Sequence, residues 1–142
     1  NAKNDFSWMK TTLKKLNLFF IVVVIGLLIM LFVYQPILDI WLPAKNRIVP
    51  SFDLILALSI FVVISIWNNI YSFFLNGLGI VKMQMRTAVL GAILNVPLAI
   101  FCIKYLGLGL SGVVYAMCIS LFFFSVLGPI VTYNFFKNKK NE

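Results

Sequence analysis

Charged residues fall in short clusters along the chain, and four long stretches between them carry none: Leu16–Leu38, Leu54–Val81, Thr87–Ile103 and Tyr105–Phe136. A helix crossing a bilayer needs about 17–25 mostly apolar residues, and each stretch meets that length, the third at the lower limit. Ile21-Val22-Val23-Val24-Ile25 and Leu121-Phe122-Phe123-Phe124 run on without alternation, unlike the roughly ten-residue alternating segments of a membrane β-barrel. Lipid offers no partner to an unpaired peptide group, so helix is the remaining open-chain solution. That demand outweighs the poor aqueous helix propensity of the β-branched residues. The pattern predicts an all-α polytopic membrane protein with four transmembrane helices at about 13–35, 52–75, 87–104 and 110–136, joined near 36–51, 76–86 and 105–109.

Composition agrees. Of the 142 residues, 62% are hydrophobic, against roughly 45–50% in a soluble domain. Such a chain cannot cover a soluble core with polar surface, nor remain disordered. With two cysteines and no histidine, a zinc site, a Ser-His-Asp triad and a Cys-His pair are excluded, and no enzyme activity, metal or cofactor is expected.

Charge sets the topology. Lys3, Lys10, Lys14 and Lys15 precede the first span, Lys82 and Arg86 lie between the second and third, and Lys137, Lys139 and Lys140 follow the fourth. With four spans these segments share one side, which then holds nine of the twelve basic residues; Lys45, Arg47 and Lys104 lie on the other. The positive-inside rule makes the richer side cytoplasmic, with both termini inside. The basic residues flank spans and form no helical stripe, so anionic lipid headgroups rather than nucleic acid are their partners. The first run is too long for a signal-peptide core and no small-residue cleavage site follows it. Asn1-Ala2 resembles the scar of a cleaved purification tag. It is set aside, leaving 3–142 as a single four-helix membrane segment and part of a larger protein.

Local signals refine the picture. Pro50-Ser51-Phe52-Asp53 reads as a helix start, with Asp53 favouring the positive end of the helix dipole. Asp39, beside Trp41, is expected to be solvated in the outer loop. Trp8, Tyr34, Trp41, Tyr105 and Tyr133 fall near the predicted interfaces and suit an aromatic belt. Cys102 and Cys118 lie at different depths and are expected to be packed thiols. Gly107-Leu108-Gly109-Leu110-Ser111-Gly112 matches G-x-G-x-x-G by letters but lacks the preceding strand and the following acid of a dinucleotide site. Its glycines instead allow a tight hairpin between the last two helices. Gly112, Ala116 and Ser120 then form a small-residue face at four-residue spacing.

Polar residues within spans are the strongest functional pointers. Asn68, Asn69, Tyr71, Ser72 and Asn76 lie in the inner half of the second helix and are candidates for the wall of a substrate cavity. Asn68 and Asn69 stand about 100° apart, so they cannot both face one neighbour. One reading has them glue helices together; the other turns one of them to a wet cavity. Asn95, Pro97 and Pro129 are hinge candidates: Pro97 frees the carbonyl near Ile93, which Asn95 would repair, and Pro129 should bend the last helix.

These residues resemble a family. Tyr71-Ser72-Phe73-Phe74-Leu75-Asn76-Gly77-Leu78-Gly79, with Gln84 following, is similar to a cytoplasmic loop of the polysaccharide flippases. Gly91-Ala92-Ile93-Leu94-Asn95-Val96-Pro97-Leu98 and Tyr105-Leu106-Gly107-Leu108-Gly109-Leu110-Ser111-Gly112 continue the likeness, which spans about residues 5–136; Val113-Val114 stand where alanine often follows. These exporters of O-antigen and capsule units belong to the multidrug/oligosaccharidyl-lipid/polysaccharide superfamily, with the MATE-like extruders. The resemblance implies the last four helices of a twelve-helix, two-lobe transporter in the bacterial inner membrane. It also implies an undecaprenyl-diphosphate-linked oligosaccharide moved by alternating access, and contact with the rest of the transporter. Lys82 and Arg86 would meet the diphosphate during loading, or serve only to orient the chain. Two other classes stand beside it. A small four-helix drug or metabolite exporter would need an acid in its path, and none lies within the uncharged runs. A non-transporting scaffold subunit would need no cavity.

Overall fold

The computed structural model describes the backbone of residues 2–41 and 50–138, with side chains from residue 7 onward. Asn1, Lys45, Arg47, Lys139, Lys140 and Glu142 lie outside the described residues. Four helices are present: α1 (Ala2–Trp41), α2 (Phe52–Gly77), α3 (Lys82–Lys104) and α4 (Gly109–Asn138). All four are long and apolar enough to cross a membrane. Their surfaces carry the large side chains that lipid solvates, among them Phe32, Phe73, Ile93 and Phe122.

Three boundaries differ from the sequence-based expectation. α1 continues through Pro36, Asp39 and Trp41 rather than ending at 35, so Asp39 is exposed in a helical last turn and not in a loop. Proline is tolerated there because one lost amide bond does not outweigh the cost of opening the chain near lipid. Between α2 and α3 only residues 78–81 intervene. Ile80 N–H bonds to Leu75 O at 2.9 Å and Gly79 N–H to Asn76 O at 3.0 Å, with Gly79 at φ 73°. This Schellman cap reverses the chain in four residues, and Ile80 packs against the cluster that holds Leu75. Lys82 and Arg86 therefore sit in the first turns of α3. Long basic side chains reach the interface from a helix as readily as from a loop, so a charge cluster does not mark a helix end. At the other end α4 begins at Gly109 and runs to Asn138. Gly107 and Gly109 turn the chain at φ 65° and 54°, a region only glycine enters freely.

The start of α2 is capped by Ser51, whose Oγ accepts from Leu54 N–H at 3.3 Å. Asp53 in that first turn also accepts a hydrogen bond from Tyr115 Oη at 2.9 Å, tying α2 to α4.

The helices stand side by side in the order α1, α2, α4, α3. α4 is the centre because its buried residues recur every fourth position: Gly112, Ala116, Ser120, Phe124, Gly128 and Thr132. Successive members of such a row are displaced by about 40°, so the row winds around the helix. Its upper part meets α3, where a Cβ on Gly91 would stand 2.9 Å from Ser120 O and one on Gly112 would stand 3.0 Å from Cys102 Cβ. Its lower part meets α2, where a Cβ on Gly128 would stand 3.1 Å from Tyr71 Cβ. Small residues let the backbones approach, and dispersion holds them where lipid supplies no hydrophobic drive. Cys102 and Cys118 are both free and buried.

α1 is peripheral: it packs chiefly on α2, and none of its described side chains is fully buried. Leu13 and Phe20 touch the cluster of Ile70, Tyr71, Leu75 and Phe124. Lys10 Nζ lies 5.7 Å from the Phe136 ring, so the start of α1 and the end of α4 share one end of the bundle. Tyr34 and Phe52, 6.3 Å apart, mark the other.

Candidate functional site

Because α2 and α3 each pack on α4 and scarcely on one another, a cleft of about 450 Å³ opens between them with α4 as its floor. Asn68, Asn69 and Ser72 line it from α2, Gln84, Thr87 and Asn95 from α3, and Ser120 from α4. Met117, Leu121 and Phe124 supply an apolar floor and Phe61 an apolar patch of the α2 wall, and no charged residue is in the lining among the described residues.

The polar groups are held by different means. Asn68 is fixed: its Nδ2 donates to Leu121 O at 3.1 Å, and its Oδ1 accepts from Ser125 Oγ at 2.7 Å. Next to it, Trp67 Nε1 donates to Ser125 O at 3.0 Å. Trp67 also packs at a tilt against Phe20 and Tyr71, with ring centroids 5.2 and 4.8 Å away, so one turn of α2 is tied to α4 and α1 together. Asn69 points elsewhere and is exposed; its amide forms no hydrogen bond among the described residues. Gln84 Nε2 donates to Ser72 Oγ, joining α3 to α2 across the cleft, while Gln84 Oε1 is buried without a partner among the described residues. The hydroxyls of Thr87 and Ser120 donate to carbonyls of their own helices, at 2.9 Å to Gln84 O and 2.8 Å to Ala116 O. Their oxygens are left as acceptors toward the cleft.

Of the residues singled out in the sequence, the cleft gathers Asn68, Asn69, Ser72 and Asn95. It does not gather Tyr71, which is buried against α1 and α4 with a long 3.5 Å contact from Asn17 Nδ2. Asn76 is exposed at the end of α2 and lines no part of the cleft. Lys82 and Arg86 are exposed, and by helical rotation they lie on the face of α3 opposite Gln84, Gly91 and Asn95. α3 and α4 run unbroken through Pro97 and Pro129. The Asn95 amide lines the cleft rather than repairing the carbonyl freed by Pro97: among the described residues it makes no such bond.

Gln84, Thr87, Ser120, Ser125 and the indole of Trp67 complete the constellation and were not expected as site residues. Gln84 stands among charges and read as loop; Ser120 read as packing. Only the four-residue phase that brings Ser120 and Leu121 to the floor would have pointed to them. Among the described residues no cluster of histidine, cysteine or acidic side chains stands ready to hold a metal.

Four helices of membrane-spanning length, three of which line a cleft of uncharged side chains, define a multi-pass membrane protein. A family model described as MatE matches residues 1–101, most of the chain, and the protein belongs to the MatE family, whose members are transporters rather than enzymes. The match ends inside α3, so α4 and the hairpin before it lie beyond it. No curated protein and no solved structure shows significant similarity to the chain.

Proposed function

We propose that this chain forms the last four helices of a twelve-helix, two-lobe exporter. The exporter moves an oligosaccharide linked to undecaprenyl diphosphate from the inner to the outer leaflet of a bacterial inner membrane. Its partners are then the bilayer, the lipid-linked oligosaccharide and the remaining helices of the transporter. Both ends of the segment face the cytoplasm, and the transport step is alternating access around a central site.

The observation that supports this reading is the chemistry of the α2–α3 cleft. Asn69, Ser72, Gln84, Thr87 and Asn95 offer neutral donors and acceptors, and the lining carries no charge. A coupled proton requires a titratable group in the path. A sugar requires neutral groups that both donate and accept, over an apolar surface for its ring faces, and the cleft has both. The buried, unpartnered Gln84 Oε1 supplies an acceptor that a ligand hydroxyl would satisfy. Lys82 and Arg86, on the far face of α3, meet a diphosphate only at the membrane surface, during loading.

The test is export by the full-length transporter in proteoliposomes, followed by the access of an external glycosidase to an undecaprenyl-diphosphate-linked trisaccharide. Asn69→Leu and Gln84→Leu should each slow the appearance of cleavable substrate about tenfold, a loss of roughly 1.4 kcal/mol of ligand stabilisation. Unchanged rates in both variants remove the cleft from the transport path.

A further inference from the structure

A second concavity, of about 690 Å³, lies between α1 and α2 and is lined by Trp8, Leu16, Phe19, Ile70, Phe73 and Gly77 among other apolar residues. Thr12, Asn69 and the indole of Trp8 are the polar side chains in its wall among the described residues. Asn69 is also part of the α2–α3 cleft, and it is the residue the two concavities share. Around the axis of α2 the cleft residues Asn68 and Ser72 lie on one side of Asn69 and the groove residues Ile70 and Phe73 on the other, by about 100° per residue. The ridge carrying Asn69 therefore faces away from α4 and divides a polar chamber from an apolar one.

We propose that the α1–α2 groove holds the hydrocarbon chain of the ligand whose polar part occupies the α2–α3 cleft, with Asn69 at the junction of chain and head; this rests on the function proposed above for the cleft. Three features select an amphiphile over a plain lipid-facing surface. The groove and the cleft lie side by side and meet at one amide, which is the order of groups in a lipid-linked polar molecule. That amide lies in the interior of a span, exposed and without a hydrogen bond among the described residues. It therefore requires a polar partner, which the first polar group after the chain would supply. The groove also runs with the membrane normal. Antiparallel α1 and α2 carry its walls from Trp8 and Gly77 at one end to Phe19 and Ile66 at the other, a length of about 16 Å by helical rise. Since the chain is in hydrocarbon whether bound or free, the groove contributes packing and orientation rather than transfer energy.

Two photoreactive dodecyl maltosides test this in the full-length transporter, reconstituted in phosphatidylcholine nanodiscs. One carries a diazirine at the end of the alkyl chain and the other carries it on the sugar. The sugar probe should label Ser72 and Asn95. The chain probe should label Leu16, Phe19 and Phe73 at least fivefold above lipid-facing Phe32 and Phe122. A Cβ on Gly77 meets nothing within 4 Å. Gly77→Phe should therefore leave the helix backbone in place and put a ring into that end of the groove, cutting chain labelling about fivefold while sugar labelling persists. Sugar labelling of the cleft with chain adducts spread evenly over the lipid-facing residues would overturn the groove proposal and leave the cleft intact. Absence of sugar labelling in the cleft would overturn both.

Discussion

Ser125 of α4 donates its hydroxyl to Asn68 Oδ1 at 2.7 Å, closing a pair of bonds in which the Asn68 amide also donates to Leu121 O at 3.1 Å. The neighbouring amide, Asn69, takes no part in this clasp. Two adjacent residues of one type are thus divided between holding helices together and facing the cleft, because successive helical positions point about 100° apart.

Asn68→Leu should therefore lower stability by about 1–2 kcal/mol, at roughly 0.6 to 1.7 kcal/mol for each interhelical bond in a membrane protein. Asn69→Leu should leave stability within about 0.5 kcal/mol of the parent. Equilibrium unfolding in mixed detergent micelles checks both, and equal destabilisation by the two variants would contradict the division.

Gly91→Ala should destabilise by about 1–3 kcal/mol, because the added methyl stands 2.9 Å from a backbone carbonyl that has no rotamer to change. Gly77→Ala, with open space at the same distance, should be neutral or stabilising by up to about 1 kcal/mol. Thermal midpoints of the two variants, measured side by side, give the comparison.

The Tyr115–Asp53 hydrogen bond predicts a coupling measurable by double-mutant cycle. Tyr115→Phe, Asp53→Ala and the double variant should return an interaction energy of about 1 kcal/mol. A value near zero would show that Asp53 acts on the helix dipole alone, since that term is lost equally with and without the Tyr115 hydroxyl and cancels in the cycle.

The contact between Lys10 and Phe136 predicts a shared membrane face for the start of α1 and the end of α4. Cysteines introduced at Trp8 and Lys137 should both react with a membrane-impermeant maleimide from the same side of sealed, uniformly oriented vesicles, and neither should react from the other side. Opposite accessibility of the two sites would break the four-span topology.

The number and character of the helices were legible along the chain, because a peptide group in hydrocarbon has no partner but its own helix and length alone decides the span. The small-residue row at Gly112, Ala116 and Ser120 and the cap at Ser51 were legible for a related reason: each is a local geometry written by residue type at fixed spacing. Helix ends were less so. Charges at Lys82 and Asp39 read as loop, yet both stand in helical turns, since a long or terminal polar side chain reaches water without the backbone unwinding.

What the chain alone left open was which faces meet. The row of small residues on α4 turns by about 40° at each step. The sequence carries that rotation but not the neighbours it sweeps past. Only the packed structure seats α4 between α2 and α3, and that placement makes the cleft. It sends Asn68 to Ser125 and Asn69 to the junction of two chambers, brings Gln84 to Ser72, and turns Lys82 and Arg86 away. The physical reason is that spans are specified one at a time by solvent and length. A site between spans depends on rotations and contacts between helices far apart in the chain.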